Sequence, residues 1–296
     1  MSHTEFSGDW LQLREAADAT ARANDLIGWL RAARLWASTR PDPFPVLDLG
    51  CGTGANLRHL APKLRGRQQW RCVDQDPALL SELTRQTRRR ASTQGAQSAA
   101  AQPPLTLTGA GWEAQVWTEQ IDFAAGVARG QLPGDGLVTA SALLDLVSEE
   151  WLRRLIEGCR DVRCTLLFAL TYDGRIALSP AHPDDQRLTA LVNRHQQQNK
   201  GFGAALGPEA AAAAERLARA GGYRVRSAPS DWSLGAEQPA LQKALIAGWL
   251  VAAYELADAA DRDRLHAWHC ARTAQVDAGG LRIRVGHRDL VALPPA

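Results

Sequence analysis

Hydrophobic positions recur along this chain in two rhythms, one helical and one of short continuous runs. Residues 10–39 set Leu13, Ala17, Leu26, Leu30 and Trp36 near helical spacing and stop before Pro41, which predicts one or two helices ahead of the first strand. Phe44 to Leu49 (FPVLDL) is a short apolar run that ends at Gly50, Gly52 and Gly54, and ANLRHLAPKL beyond it reads as a helix. A second unit of the same kind follows. Gln69 to Val73 reads as a strand ending in Asp74, and Pro77, suited to a helix's first turn, opens a helix that reaches Arg90.

Residues 91–104 (ASTQGAQSAAAQPP) contain no large apolar side chain, so a flexible surface excursion is expected there. Trp117 to Phe123 is the next expected strand, and Gly136 to Leu146 begins as another. Ser148 is suited to cap the helix that starts EEWLRRL, and Cys164 to Leu170 is a further apolar strand. Past Tyr172 the pattern turns irregular, with Gly and Pro from 173 to 208. An alanine-rich helix (208–220), a strand at Tyr223 to Val225 and two helical stretches near 238–258 and 261–275 follow. In the closing segment Leu281, Ile283 and Val285 alternate with Arg282 and Arg284, as in a strand with unequal faces. Strands alternating with helices imply a doubly wound, mostly parallel α/β sheet. The expected organisation is an N-terminal helical cap (1–40) and a main domain (41–296) with insertions at 172–207 and 236–277.

Composition narrows the classes. Of 296 residues 45% are hydrophobic and 22% charged, which describes a globular chain. Basic residues number 34 against 32 acidic ones, and the net charge of +2 supplies no large field for nucleic acid or an anionic membrane. The five cysteines, at 51, 72, 159, 164 and 270, form no Cys-x-x-Cys pair, so neither a disulfide framework nor a zinc site is expected. No apolar run approaches the ~20 residues of a membrane span, and the first residues are acidic and polar. A reduced, cytoplasmic protein is expected.

The sharpest chemical signal is VLDLGCGTGANL. Glycines without a Cβ let backbone approach a ligand and expose the N-terminus of the following helix, so a nucleotide-like ligand suits the turn. Two readings compete. Gly50-x-Gly52-x-x-Ala55, with Asp74 about 20 residues on, fits a dinucleotide fingerprint. Asp48-x-Gly50-x-Gly52-x-Gly54 adds an acid that the dinucleotide pattern lacks.

In that second form the chain resembles the class I S-adenosylmethionine-dependent methyltransferases. Val-Asp74-Gln75-Asp76-Pro77 resembles the family's second motif, Asp122 its acid after the third strand, and the stretch containing Ser141 its fourth-strand region. The likeness covers roughly 44–170 and implies a seven-stranded Rossmann-like sheet whose last strand is reversed. It implies that Asp48, Gly50, Cys51, Gly52, Gly54, Asp74, Gln75, Asp122 and Ser141 surround S-adenosylmethionine. Asp74 would take the ribose hydroxyls, Asp122 would face adenine and Ser141 would lie near the sulfonium. S-Adenosylhomocysteine would be the product, with no metal required.

The acceptor is expected to be a small molecule, methylated at O, N or C. The family's tetrapeptide for exocyclic amines of nucleic-acid bases is absent after the fourth strand, no cysteine pair suggests a base methylase, and no Asp/His/Glu run suggests a metal site. Trp10, Arg14, Asp18 and Arg22 recur every four residues and share a helix face: a salt-bridged surface, or a lid with Arg14 at an anionic group of the substrate. Tyr172 and Asp173 follow the fifth strand at the sheet edge where such folds bind ligands. His182, His195 and Lys200 crowd a polar, glycine-containing stretch, with His195 and Tyr172 the candidate catalytic groups. Trp232 and Trp249 are expected in the core. Rival readings are an NAD(P)-dependent oxidoreductase on the same turn, and a protein that binds the cofactor without catalysis.

Overall fold

The first described elements are two helices, α1 (Gly8–Ala21) and α2 (Asn24–Trp36). Ser7 starts the first by accepting the Trp10 N–H at 3.2 Å. The computed structural model describes residues 7–36, 42–93, 97–99 and 104–295. Strand β1 (Phe44–Leu49) leads through the glycine turn into α3 (Ala55–Leu64), and β2 (Gly66–Asp74) into α4 (Pro77–Thr93). Three strands come next, β3 (Gln97–Ala99), β4 (Leu105–Gly109) and β5 (Trp112–Gln120), then β6 (Leu137–Ser141), α5 (Glu149–Asp161) and β7 (Thr165–Ser179). Helices α6 (Asp185–Gln196) and α7 (Ala210–Ala220), strands β8 (Arg224–Pro229) and β9 (Trp232–Leu234), helices α8 (Pro239–Tyr254) and α9 (Ala259–Asp277), and β10 (Arg282–Leu293) complete the chain. Ser148 caps α5 as its sequence suggests, accepting the Trp151 N–H at 3.2 Å.

One sheet runs β3-β4-β5-β2-β1-β6-β7-β10-β8, with β9 also on β10. β5, β2, β1, β6 and β7 are parallel neighbours, and β10 runs antiparallel to both β7 and β8. The doubly wound α/β fold and its reversed last strand are therefore as expected, but the strand count is a correction: ten strands among the described residues rather than seven. The seven expected strands form the centre, and β3, β4 and β9 extend it.

Three local differences have physical causes. The strand expected at 117–123 begins at Trp112, because β2 aligns Gly66 with Trp112 and Asp74 with Gln120, and β4 pairs along its other edge. β7 continues beyond Tyr172 to Ser179, since β10 supplies partners for Ile176 to Ser179, and α6 follows where irregular chain was expected. In the 91–104 segment α4 extends to Thr93 and residues 97–99 form β3, whereas 94–96 and 100–103 lie outside the described residues.

One apolar layer packs α2, α3 and the Leu80 and Leu83 face of α4 against the sheet; the other packs α5 and α7. A third cluster gathers α6, α8 and α9 over the far halves of β7 and β10, where Trp232 and Trp249 are buried as expected. Strand order reverses between β1 and β6: β2 lies on one side of β1 and β6 on the other. A crevice opens outside the carboxyl ends of strands at such a reversal.

Candidate functional site

A cavity of about 810 Å³ fills that crevice. Its floor is the glycine turn. Gly52 has φ +50° and Gly54 φ +84°, a region that side-chain-bearing residues avoid. A Cβ on Gly54 would stand 2.6 Å from Leu83 Cγ, and one on Gly52 3.0 Å from Leu11 Cδ1 of α1. The first glycine is thus required by packing beneath the turn, the second by the close approach of the N-terminal helix above it.

Asp74 closes one end. Its Oδ2 accepts the Gly52 N–H at 2.8 Å and its Oδ1 the Asp76 N–H at 3.0 Å, which aims the carboxylate across the turn. Each oxygen keeps a lone pair for a further donor. Burial pushes its pKa up, and the two backbone donors oppose that shift. Asp122 lies on the same wall and accepts the Ala124 N–H at 2.9 Å. Beside it Phe123, Trp151 and Phe202 pack with ring centroids 5.7 to 6.2 Å apart, and Phe123 and Phe202 face the cavity.

Behind the turn is a polar network that bare motif spacing does not reveal. Asn56 Nδ2 donates to Asp48 Oδ1 at 2.7 Å and to Thr139 Oγ1 at 3.1 Å, while Asn56 Oδ1 accepts from Arg22 at 3.0 Å. The other Arg22 terminal nitrogen donates to Ser141 Oγ at 3.0 Å. Asp48 is fully buried, its Oδ2 has no partner among the described residues, and burial pushes its pKa up to about 7. Asn56, not Asp48, forms the wall, so the acid of the glycine motif acts on the cavity through the amide. Next to Arg22, the Ala23 N–H donates to Asp289 Oδ2 at 2.9 Å, tying the link between α1 and α2 to β10.

Of the residues singled out from sequence, Gly50, Cys51, Gly52, Asp74, Gln75, Asp122, Ser141, Arg14 and Lys200 line the cavity together. Asp48 and Gly54 stand behind it. Trp10 packs against the third apolar cluster instead. Tyr172, Asp173, His182 and His195 are not on the wall. The Tyr172 hydroxyl donates to Asn193 Oδ1 at 2.7 Å, and burial and neighbouring carboxylates raise its pKa further. Asp173 pairs with Arg175, and His182 Nδ1 accepts the Asp184 N–H at the start of α6. His195 contacts Lys200, and its pKa is lowered by burial and by that ammonium.

Asp76 of the second motif and Phe202 of the polar stretch around Lys200 line the cavity too, while Asn56, Thr53, Phe123 and Leu143 line it and were not singled out from sequence. Asn56, two residues past the third glycine, is the one with a local signal. Arg14 reaches the wall from α1, held by Asp18 at 3.0 Å and lying over the Trp232 ring at 4.9 Å, while Trp232 Nε1 donates to Asp18 at 3.0 Å. The glycine turn at the strand reversal, with β10 reversed between β7 and β8, decides the architecture. This is the doubly wound arrangement that the resemblance to the class I S-adenosylmethionine-dependent methyltransferases implies.

No family model matches the chain, and no curated protein does. Among solved structures, the cyclopropane synthase MmaA2 from Mycobacterium tuberculosis is 11% identical over 98% of this chain and 95% of that one, with a TM-score of 0.46. Magnesium protoporphyrin IX methyltransferase from Synechocystis PCC 6803, solved with bound SAH, is 15% identical over 74% of this chain and 85% of that one, with a TM-score of 0.41. Among the described residues no group of three or more His, Cys, Asp or Glu side chains is arranged to hold a metal ion, and no helix is long and apolar enough to cross a membrane.

Proposed function

We propose that the protein binds S-adenosylmethionine in this cavity and transfers its methyl group to a small-molecule acceptor. The observation that carries the reading is the pairing of Asp74 with the Gly52 N–H, which aims a buried carboxylate with spare lone pairs across a glycine cradle at the switch point of the sheet. Adenosine offers two adjacent ribose hydroxyls, and a carboxylate is acceptor-only, so one side chain takes both donors. Asp122, beside the Phe123 ring, suits the adenine amino group and its flat face. Asn56 and Ser141, fixed by Arg22, suit the polar methionine end.

The cofactor would supply a methyl on a sulfonium: the C–S bond breaks while the acceptor's lone pair forms the new bond to carbon, sulfur keeps the electron pair as a thioether, and the acceptor's proton leaves to a base or to water. The protein's own part is to hold the reactants in line and exclude water, which by itself accounts for much of the acceleration in such displacements. The helix α1, with Leu11 against Gly52 and Arg14 on the wall, serves as the cover.

Calorimetric titration with S-adenosylhomocysteine, S-adenosylmethionine and NADH tests this. Adenosyl ligands should bind and NADH should not. Asp74→Ala, which removes two hydrogen bonds to a charged acceptor, should weaken S-adenosylhomocysteine by about 100-fold with the circular dichroism unchanged. Binding of NADH alone would overturn the reading in favour of an oxidoreductase.

A further inference from the structure

The chain has only three lysines, Lys63, Lys200 and Lys243, among its 34 basic residues. One of them, Lys200, stands on the cavity wall. An ammonium differs from the guanidinium used elsewhere in this chain: it is a compact point charge whose protonation responds to burial. Its loop is firmly held. Asn199 Oδ1 accepts the Gly201 and Gly203 N–H groups at 2.8 and 3.2 Å, Phe202 packs into the aromatic trio, and the Leu206 N–H donates to Val147 O at 2.8 Å.

Lys200 is backed by an ordered pair of groups. Its Nζ lies 3.5 Å from His195 Nδ1, and His195 Nε2 lies 3.1 Å from Glu255 Oε2. A carboxylate only accepts, so Nε2 carries the proton, and Nδ1 is left to accept from the ammonium. The imidazole is therefore a neutral rest for one Lys200 N–H and leaves the others to the cavity. Burial pushes the Lys200 pKa down, and Glu255, on the far side of the ring, is the carboxylate that opposes that shift. The wall's other cation, Arg14, is already committed to Asp18 through Nε and a terminal nitrogen. Asp74 and Asp122, the motif acids on the same cavity wall, are engaged by backbone donors.

We propose that Lys200, backed by the His195–Glu255 pair, holds an ionised oxygen of the methyl acceptor, so that the acceptor is an organic oxyanion such as a carboxylate or phosphate. This rests on the methyltransferase reading. A partly buried ammonium with one neutral partner gains from an anion what it lost on leaving water, whereas a cationic acceptor would meet like charge. Lys200 in this role touches substrate; His195 and Glu255 act through it as positioning residues.

The small number of lysines makes the test direct. Full-length protein saturated with S-adenosylhomocysteine is treated with limiting acetic anhydride, and acetylation at each lysine is read by peptide mass spectrometry, with Lys63 and Lys243 as internal controls. Benzoate and inorganic phosphate should slow acetylation of Lys200 by about threefold or more at constant ionic strength, benzamide should not, and the other two lysines should not respond. Glu255→Gln removes support for the charge and should speed acetylation of Lys200. Lys200→Met should keep S-adenosylhomocysteine affinity within about twofold.

Equal effects of benzoate and benzamide, or a Lys200 inert to the reagent in ligand-free protein, would overturn the proposal. So would a tenfold loss of S-adenosylhomocysteine affinity in Lys200→Met, since the anion held would then be the cofactor's own carboxylate. An unchanged rate in Glu255→Gln would strike out the positioning role. Failure of the wild type to bind S-adenosylhomocysteine would instead sink the cofactor reading, and the labelling, repeated without it, would still report on the anion site.

Discussion

The two halves of the cavity are built in different ways. The half assigned to the cofactor consists of Gly50 to Asn56 and Asp74 to Pro77, two strand-to-helix turns on neighbouring parallel strands. Its key contact, Gly52 N–H to Asp74, joins residues 22 apart. The half assigned to the acceptor draws on Leu11, Arg14 and Asp18 of α1, Leu143 and Leu146 after β6, and Lys200 to Phe202 after α6. Its contacts span up to 214 residues, as in Trp232 to Asp18. The first half is a local solution that the parallel sheet aligns. The second exists only once α1 and the segments after β7 and β8 have been packed over the crevice.

The most drastic way to break the comparison is Gly52→Val. A β-branched residue at φ +50° is strained, and its side chain would run into Leu11 of α1. Calorimetry should show binding of S-adenosylhomocysteine lost. A Gly52→Val protein that still binds with wild-type affinity would mean the turn does not contact the ligand.

A second effect is confined to the first half and appears in the pH dependence of stability. Asp48 is an acid whose folded pKa, about 7, lies above the ordinary value of 3.8. Its protonated form is the one the fold prefers, so its contribution to stability is complete below the unfolded pKa and is lost as pH rises from about 4 to about 7. Asp48→Asn removes that loss. Wild type minus mutant, followed by denaturant unfolding, should fall by an amount on the order of a few kcal/mol across that window and stay flat above it. A difference independent of pH would show that Arg22 and Asn56 keep the carboxylate ionised.

The smallest expected effect sharpens the second half. Trp232→Phe removes the indole N–H that Asp18 accepts and leaves the buried Arg14–Asp18 pair one donor short. Stability should drop by about 1–3 kcal/mol, with S-adenosylhomocysteine affinity unaffected. A parallel loss of affinity would mean that α1 is shared by the two halves.

Much of the fold was legible because β1, β6 and the near half of β7 are apolar runs, buried from both faces and punctuated by glycine, proline or a capping serine, and because β2, though partly polar, ends in a buried apolar stretch at Asp74. The edge was less so. β4 and β5 alternate buried apolar with exposed or half-buried positions rather than forming continuous runs, and β7 overran its apolar run because β10 was there to pair with it. Within the site, Asp74 and the glycines were legible as spacing, and Asn56 could have been suspected from its turn. Arg22 was visible only as a member of a helix face, since nothing local says that it ends α1 and turns inward to Asn56 and Ser141. His195 attracted notice as a titratable group, yet its place one residue behind the wall depends on Glu255, 60 residues away.

What the sequence by itself determined was the alternation of strands and helices, the glycine turn with its two acids, and hence the kind of ligand that half of the cavity suits. These depend on backbone conformation and short-range spacing, which a linear pattern records. Only the tertiary structure decided that Asn56 screens Asp48, that Arg14 is taken up by Asp18 beneath Trp232, and that Lys200 rather than His195 meets the cavity. Those outcomes are set by which distant helices share a surface, and packing between distant segments leaves no periodic mark on either one alone.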